Sequence, residues 1–153
     1  MSGSPDAVAR TDAVTIRLAR ESDASPVASL CGELGYPIPV EQARTRIMDD
    51  GEVVLLVADT MEGRVVGWIE VAPRRSVEFG EVAEIQGLVV TASERGREVG
   101  SRLLTAAEDW AREQGFARIR VRSNVIRERT HGFYLARGYS ERKRQVVFDK
   151  PLG

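Results

Sequence analysis

The sequence predicts a mixed α+β or α/β domain, a sheet with helices packed on it. Three observations predict it. Stretches that alternate in twos, such as "VTIRLA" and "VVGWIEVA", are interleaved with stretches of helical spacing, such as "EVGSRLLTAAEDWAREQG". Breaks such as "GYPIP" and "TMEGR" separate them at short intervals. The chain has 153 residues, of which 42% are hydrophobic, so it can bury one core without a disulfide or metal staple.

Taken in order, "MSGSPDAVARTDA" (residues 1–13) is small, polar and aperiodic, and reads as a disordered leader. A single domain is expected from 14 to 153. "VTIRLA" alternates and makes the first strand. A helix follows from about Ser22 to Leu34, with Ser22 or Asp23 as cap and Val27, Leu30, Cys31 and Leu34 as its buried stripe. After "GYPIP", the run "VEQARTRIMDDG" gives a second helix ending at Gly51. "EVVLLVAD", "TMEGR" and "VVGWIEVA" read as strand, turn and strand of a hairpin. "PRRSVEFGE" reads as a loop and "VAEIQGLVV" as the next strand.

The helix "EVGSRLLTAAEDWAREQG" places Val99, Leu103, Ala106, Ala107 and Trp110 on one face, and Gly115 stops it. Trp68, in a strand, and Trp110 both read as core. "ARIRVRS" is a strand with Ala117, Ile119 and Val121 on one face and Arg118, Arg120 and Arg122 on the other. "RERTHGFYLARG" is a short helix capped by Gly138, and "RQVVFDKPL" is a closing strand. The predicted order is β-α-α-β-β-β-α-β-α-β.

Composition removes several function classes. Lys+Arg is 22 and Asp+Glu is 23, a net charge of −1 that gives no global case for nucleic acid. The three arginines of "ARIRVRS" have no aromatic residues between them and read as a solvated face. Charge is unevenly spread, however. From Asp49 to Thr91 nine acids face three bases, a net of −6; from Arg112 to Arg144 ten bases face three acids, a net of +7. Either the solvated faces differ by chance, or there are two partners, one anionic and one a cationic acceptor.

Cys31 is the only cysteine, so no disulfide forms within one chain; its place among Val27, Leu30 and Leu34 makes it a small core residue. No apolar run approaches the length of a membrane span, and no signal-peptide core is present. A cytoplasmic protein without a membrane partner is expected. No cluster of His, Cys and acids has metal spacing, so no metal is expected.

The most informative stretch is "VVTASERGREVGSRLL", a strand turning into a helix through Arg95, Gly96, Arg97, Glu98, Val99 and Gly100. A helix N-terminus offers unpaired N–H groups and a partial positive charge, and glycine lets backbone approach a ligand. That suits a pyrophosphate. Neither a Walker loop nor a GxGxxG fingerprint is present, and two glycines can equally make a plain turn. Glu98 favours the helix but repels a phosphate.

The stretch from Ala83 to Ala111, followed by "SNVIRERTHGFYLARGY", resembles the GNAT superfamily of acyl-CoA-dependent N-acetyltransferases. Two motifs carry it: the [QR]-x-x-G-x-[GA] loop at Arg95 to Gly100, and F-Y-x-x-x-G-[FY] at Phe133, Tyr134, Gly138 and Tyr139. The resemblance implies a mostly antiparallel sheet of six to seven strands with about four helices, splayed between the fourth and fifth strands. It implies that amides of Arg95, Gly96, Arg97, Glu98, Val99, Gly100 and Ser101 hold the pyrophosphate of acetyl-CoA. The backbone of Leu88, Val89 and Val90 would pair with the pantetheine arm, and Asn124 would contact the coenzyme. Glu98 stands where the family usually has glycine. The spacing from Asn124 to Tyr134 is longer than in some relatives.

Acetyl transfer from a thioester to an amine needs the amine deprotonated, the carbonyl oxygen stabilised and the departing thiolate protonated. Tyr134 matches the family's thiolate-protonating tyrosine; without the motif it would read as packing. Glu84, on the strand entering the loop, is the candidate base, and an exposed strand-end glutamate is the alternative. His131 is given no chemical role. The expected activity is transfer of acetyl to a primary amine of a cationic small molecule or peptide, by direct attack in a ternary complex. A non-catalytic acyl-CoA-binding module and a nucleic-acid module are the rivals. A homodimer is possible.

Overall fold

Near-continuous apolar runs at residues 54–58 and 65–69 commit the stretch 54–72 to a sheet with both faces covered. In the computed structural model, which describes residues 14–49, 51–94, 98–123 and 127–153, it forms the sheet's centre. The strands are β1 (Thr15–Leu18), β2 (Val54–Asp59), β3 (Val65–Ser76), β4 (Gly80–Val90) and β5 (Ile119–Val121). They lie in the order β1-β2-β3-β4-β5. The first three pairings are antiparallel and β4–β5 is parallel. The helices are α1 (Ala24–Glu33), α2 (Val40–Ile47), α3 (Val99–Glu113) and α4 (Glu128–Leu135). Five strands and four helices are thus described, against the six to seven strands expected. The described chain falls into two compact units, one up to Val121 and one from Arg122 onward. Residues 1–13, the expected leader, lie outside the described residues.

In the first unit, alternation along β3 sorts the helices to two faces. Gly67 faces α3, since a Cβ there would lie 3.1 Å from the Leu103 side chain. Trp68, one residue on, joins the opposite core with Val27, Leu30, Ala43, Leu55 and Val89, and so faces α1 and α2. Cys31 and Leu34 pack against that core as expected. Burial pushes the Cys31 thiol up, in keeping with a packing role. Asp23 sits at the entry to α1, but its carboxylate accepts from the Arg20 backbone N–H at 2.8 Å and from Arg17, instead of capping α1.

Three expectations about this unit need correction. "PRRSVEFGE" is not a loop. β3 runs on to Ser76 and β4 begins at Gly80, with the ion pairs Arg75–Glu81 and Arg74–Glu84 bridging the two strands. The buried face of α3 includes Leu104 and Ala111, while Ala106 and Trp110 are only half-buried. Trp110 packs on Phe116 at 5.6 Å between ring centroids. The second helix ends at Ile47, and the Asp49 carboxylate accepts from the Gly51 N–H at 2.7 Å.

The second unit holds α4 and the tail. Gly138 follows α4 with φ 90°, and the Tyr139 N–H donates to the Tyr134 carbonyl at 3.1 Å, closing the helix in the predicted way. The closing strand predicted from "RQVVFDKPL" does not form: residues 140–153 carry neither helix nor strand. Val146, Val147, Phe148 and Leu152 there are 76–91% exposed.

Candidate active site

β4 is two different strands end to end. Over Ala83–Ile85 it pairs with β3 on one side and with Ile119–Val121 of β5 on the other. Glu70 then pairs with Gly87 and Val71 with Ile85, so Gln86 is an extra residue, a β-bulge. Beyond it Leu88, Val89 and Val90 pair with Ile69, Trp68 and Gly67 of β3 and, among the described residues, with nothing on the other side. That edge presents main-chain donors and acceptors without ladder partners. Gly87 makes room for the core beneath, because a Cβ there would lie 2.8 Å from the Trp68 ring.

The chain leaving β4 is tied down from α1. The Thr91 hydroxyl donates to Glu33 at 3.0 Å, and the Ala92 N–H donates to the same carboxylate at 3.3 Å. A 3-10 turn, Ala92–Glu94, follows. Arg95, Gly96 and Arg97 lie outside the described residues, as does Asn124. Glu98 caps α3 with φ 66° and ψ 5°, the only described non-glycine residue in the left-handed region. This is a conformation that glycine adopts without strain. Val99 is buried, and Gly100 and Ser101 are half-buried in the first turn.

Glu84 is buried, at 4% exposure, which corrects the reading of an exposed strand-end glutamate. It lies on the α1/α2 face, because its β3 partner is Ala72, in alternation with Trp68. Arg74 Nη1 donates to its Oε2 at 3.0 Å. Arg120 is its ladder partner on β5. The guanidinium carbons of Arg120 and Arg74 lie 4.8 Å and 5.4 Å from the centroid of the Phe79 ring. Arg120 Nη2 is sealed from solvent and, among the described residues, has no hydrogen-bond acceptor.

Some other acids of this stretch also pair with arginines. Arg46 binds Glu70 at 2.7 Å, and Arg75 binds Glu52 and Glu81. The Arg75 hydrogen bond holds the Glu52 carboxyl below its ordinary range. Arg74 and Arg75 already stand among the three bases of this stretch, while Arg46 at Glu70 and Arg17 at Asp59 add two charges from outside it, taking the net of −6 to −4.

In the second unit Tyr134 is buried, with edge-on contacts to Phe133 at 5.2 Å and Tyr139 at 5.3 Å. Burial pushes its phenol up to about 12, so it keeps its proton throughout the neutral range. Among the described residues no group of three or more His, Cys, Asp or Glu could hold a metal. No described helix is long and apolar enough to cross a membrane.

The model of the "Acetyltransferase (GNAT) family" matches residues 22–139, most of the chain. The chain belongs to the GNAT acetyltransferase family. As a GNAT protein it is an acyl-CoA N-acyltransferase with acetyl-CoA as co-substrate. It is 32% identical over 148 residues to an aminoglycoside N(6')-acetyltransferase type 1 of Stenotrophomonas maltophilia, covering 92% of this chain and 95% of that protein. It is 38% identical over 80 residues to an aminoalkylphosphonate N-acetyltransferase of Salmonella typhimurium, covering 52% of each. The crystal structure of an aminoglycoside antibiotic 6'-N-acetyltransferase from Acinetobacter baumannii shares the fold, with a TM-score of 0.78 at 21% identity, covering 92% of this chain and 99% of that one.

The GNAT site residues present fit the coenzyme on observations of this structure. The pantetheine arm brings two amides, and the open side of Leu88–Val90 offers main-chain partners. The start of α3, a helix N-terminus with its partial positive charge, suits an anion such as a pyrophosphate. Sequence reasoning missed Arg74, Arg120 and Phe79 beside Glu84. The cue for Arg74 and Phe79 was present in "PRRSVEFGE", but the proline hid a strand there, while Arg120 lies in "ARIRVRS" and meets them only through the sheet's register.

Proposed function

We propose that this acetyltransferase moves the acetyl group of acetyl-CoA to a primary amine of a small molecule by direct attack in a ternary complex. The observation that carries the reading is the one-sided outer half of β4 leading into α3. Leu88, Val89 and Val90 bind the pantetheine arm. The amides of Arg95, Gly96, Arg97, Glu98, Val99, Gly100 and Ser101 bind the pyrophosphate, and Asn124 supports the coenzyme. Glu84, oriented by Arg74, takes the amine's proton directly or through a water. Tyr134 supplies a proton to the departing thiolate; its buried phenol has one to give at any neutral pH. Tyr134→Phe tests this role: turnover falls about 100-fold or more with coenzyme affinity intact. Unchanged turnover removes Tyr134 from the mechanism.

A second reading, a cationic acceptor, is favoured by the names of the aminoglycoside-acetylating relatives. The acid-rich stretch supports it less strongly than the sequence count suggests, since pairing with Arg46 and Arg17 from outside leaves a net of −4. A thiol-release screen across cationic, neutral and anionic amines decides between them. The single cysteine agrees with a cytoplasmic location. The exposed Val146, Val147, Phe148 and Leu152 support a homodimer, in which a second copy covers the tail. Light scattering on the chain truncated after Arg144 tests that: a dimer that survives truncation rejects it.

A further inference from the structure

We infer that Glu33, the last residue of α1, is a positioning residue for the coenzyme: its carboxylate holds the exit of β4, and with it the edge of Leu88–Val90, in the shape that acetyl-CoA meets. The inference rests on the reading of that edge as the pantetheine seat and adds the residue that fixes it.

The exit is built around Thr91. Its backbone N–H donates to the Val66 carbonyl at 2.9 Å, which ties the end of β4 to β3. Its carbonyl accepts from the Glu94 N–H at 3.0 Å, which shapes the turn Ala92–Glu94. Its hydroxyl lies 3.0 and 3.2 Å from the two Glu33 oxygens, and the Ala92 N–H donates to Oε1 at 3.3 Å. The contacts to Glu33 cross from helix to strand and join residues 58 positions apart. Thr91 is buried, at 5% exposure, so water is a poor substitute for the acceptor its hydroxyl finds in Glu33. Donation to a carboxylate is also stronger than donation to a neutral oxygen.

The place of Glu33 argues that this tie is its role. A carboxylate at a helix C-terminus faces the negative end of the helix dipole, and the last turn of α1 holds no basic residue to offset it. Glu33 is exposed, so it adds little to the core. What it gains there is the pair of donors at the end of β4. That end needs support. Past Gln86 the strand has β3 on one side and, among the described residues, no strand on the other. An edge held on one side frays more readily, and a ligand that pairs with it must then order it. Ordering by Glu33 in advance removes that cost from binding. The carboxylate is offered from a fixed support, since Val27 and Leu30 of α1 pack in one core with Trp68 and Val89. Glu33 takes part in no proton transfer of the proposed mechanism, so its effect falls on coenzyme affinity and not on the acetyl transfer step.

The experiment measures acetyl-CoA affinity by titration, and kcat at saturating coenzyme, for the native enzyme, Glu33→Ala, Glu33→Gln, Thr91→Val and the double variant. Glu33→Ala is expected to weaken affinity about tenfold, with kcat at saturation within about twofold of native. Glu33→Gln keeps an oxygen for one donor and is expected to recover most of the loss. The double variant is expected to bind no more weakly than the weaker single variant, because both changes remove one contact. Amide exchange of the ligand-free protein separates this from general destabilisation: Ala92–Glu94 should exchange faster in Glu33→Ala, with Val57 and Ile69 unchanged. An affinity unmoved by Glu33→Ala, a kcat that falls with affinity intact, full additivity in the double variant, or faster exchange throughout the core overturns the inference and leaves the acetyltransferase reading standing. A native enzyme that binds no acetyl-CoA overturns both.

Discussion

The two halves of β4 share one strand, one partner in β3 and similar residue types, yet they differ in what their outer edge meets. Ala83–Ile85 has β5 beside it and is fully buried. Leu88–Val90 has β3 alone, and only Val89 of the three is buried. The change happens at Gln86, the bulged residue, after which β5 no longer follows. An unpaired edge inside a sheet is a liability unless something is meant to pair with it. The inner half therefore builds the domain and holds Glu84, while the outer half is left available to an extended ligand with amides of its own.

The largest expected effect tests the inner half. Glu84→Gln keeps the size and one acceptor for Arg74 but cannot take a proton. Turnover should fall about 100-fold with coenzyme affinity unchanged, read by steady-state kinetics beside a binding titration. Equal turnover returns Glu84 to a structural role. Next comes the junction. Gly87→Ala drives a methyl to 2.8 Å from Trp68, and overpacking of this kind costs about 1–3 kcal/mol. The displaced strand should raise the KM for acetyl-CoA more than it lowers kcat. A stability loss with KM unmoved would separate the outer half from coenzyme binding.

Smaller effects follow at the helix that the outer half feeds. Glu98→Gly relieves the left-handed backbone at φ 66°, a gain of about 1 kcal/mol, and removes a carboxylate from the phosphate end. Chemical denaturation should show the gain, and the coenzyme should bind more tightly. The smallest effect is the Tyr134 phenol, whose pKa burial raises to about 12. The folded state favours the neutral form, so this stability is complete below the unfolded value near 10 and is lost as pH rises through about 12. Ultraviolet titration should show one tyrosine ionising last; Tyr134→Phe should delete that step.

Much of this was legible because periodicity is a property of local sequence. The stripe of Val27, Leu30 and Leu34, the apolar runs of β2 and β3, and the stops at Gly115 and Gly138 follow from spacing and from glycine. The strand hidden in "PRRSVEFGE" was not, since Pro73 and its charges look like loop until Glu81 and Glu84 arrive from across the hairpin. Trp110 was misplaced because a helical wheel cannot say how far a sheet's cover extends. "RQVVFDKPL" carries strand propensity, but strands need partners, and none is supplied among the described residues. At the site, the sequence singled out Glu98 as unusual and the structure supplied the reason, a left-handed φ. The pairing of Glu84 with Arg74, and of Arg120 with Phe79, joins residues far apart in the chain and needed the sheet's register.

Amide hydrogen exchange with and without saturating coenzyme A tests the central claim most directly, that the outer half of β4 seats the coenzyme. The account predicts new protection at Leu88–Val90 and at the first turn of α3, with little change at Ala83–Ile85, which β5 already protects. Protection confined to other segments, with Leu88–Val90 exchanging as fast as before, would contradict it.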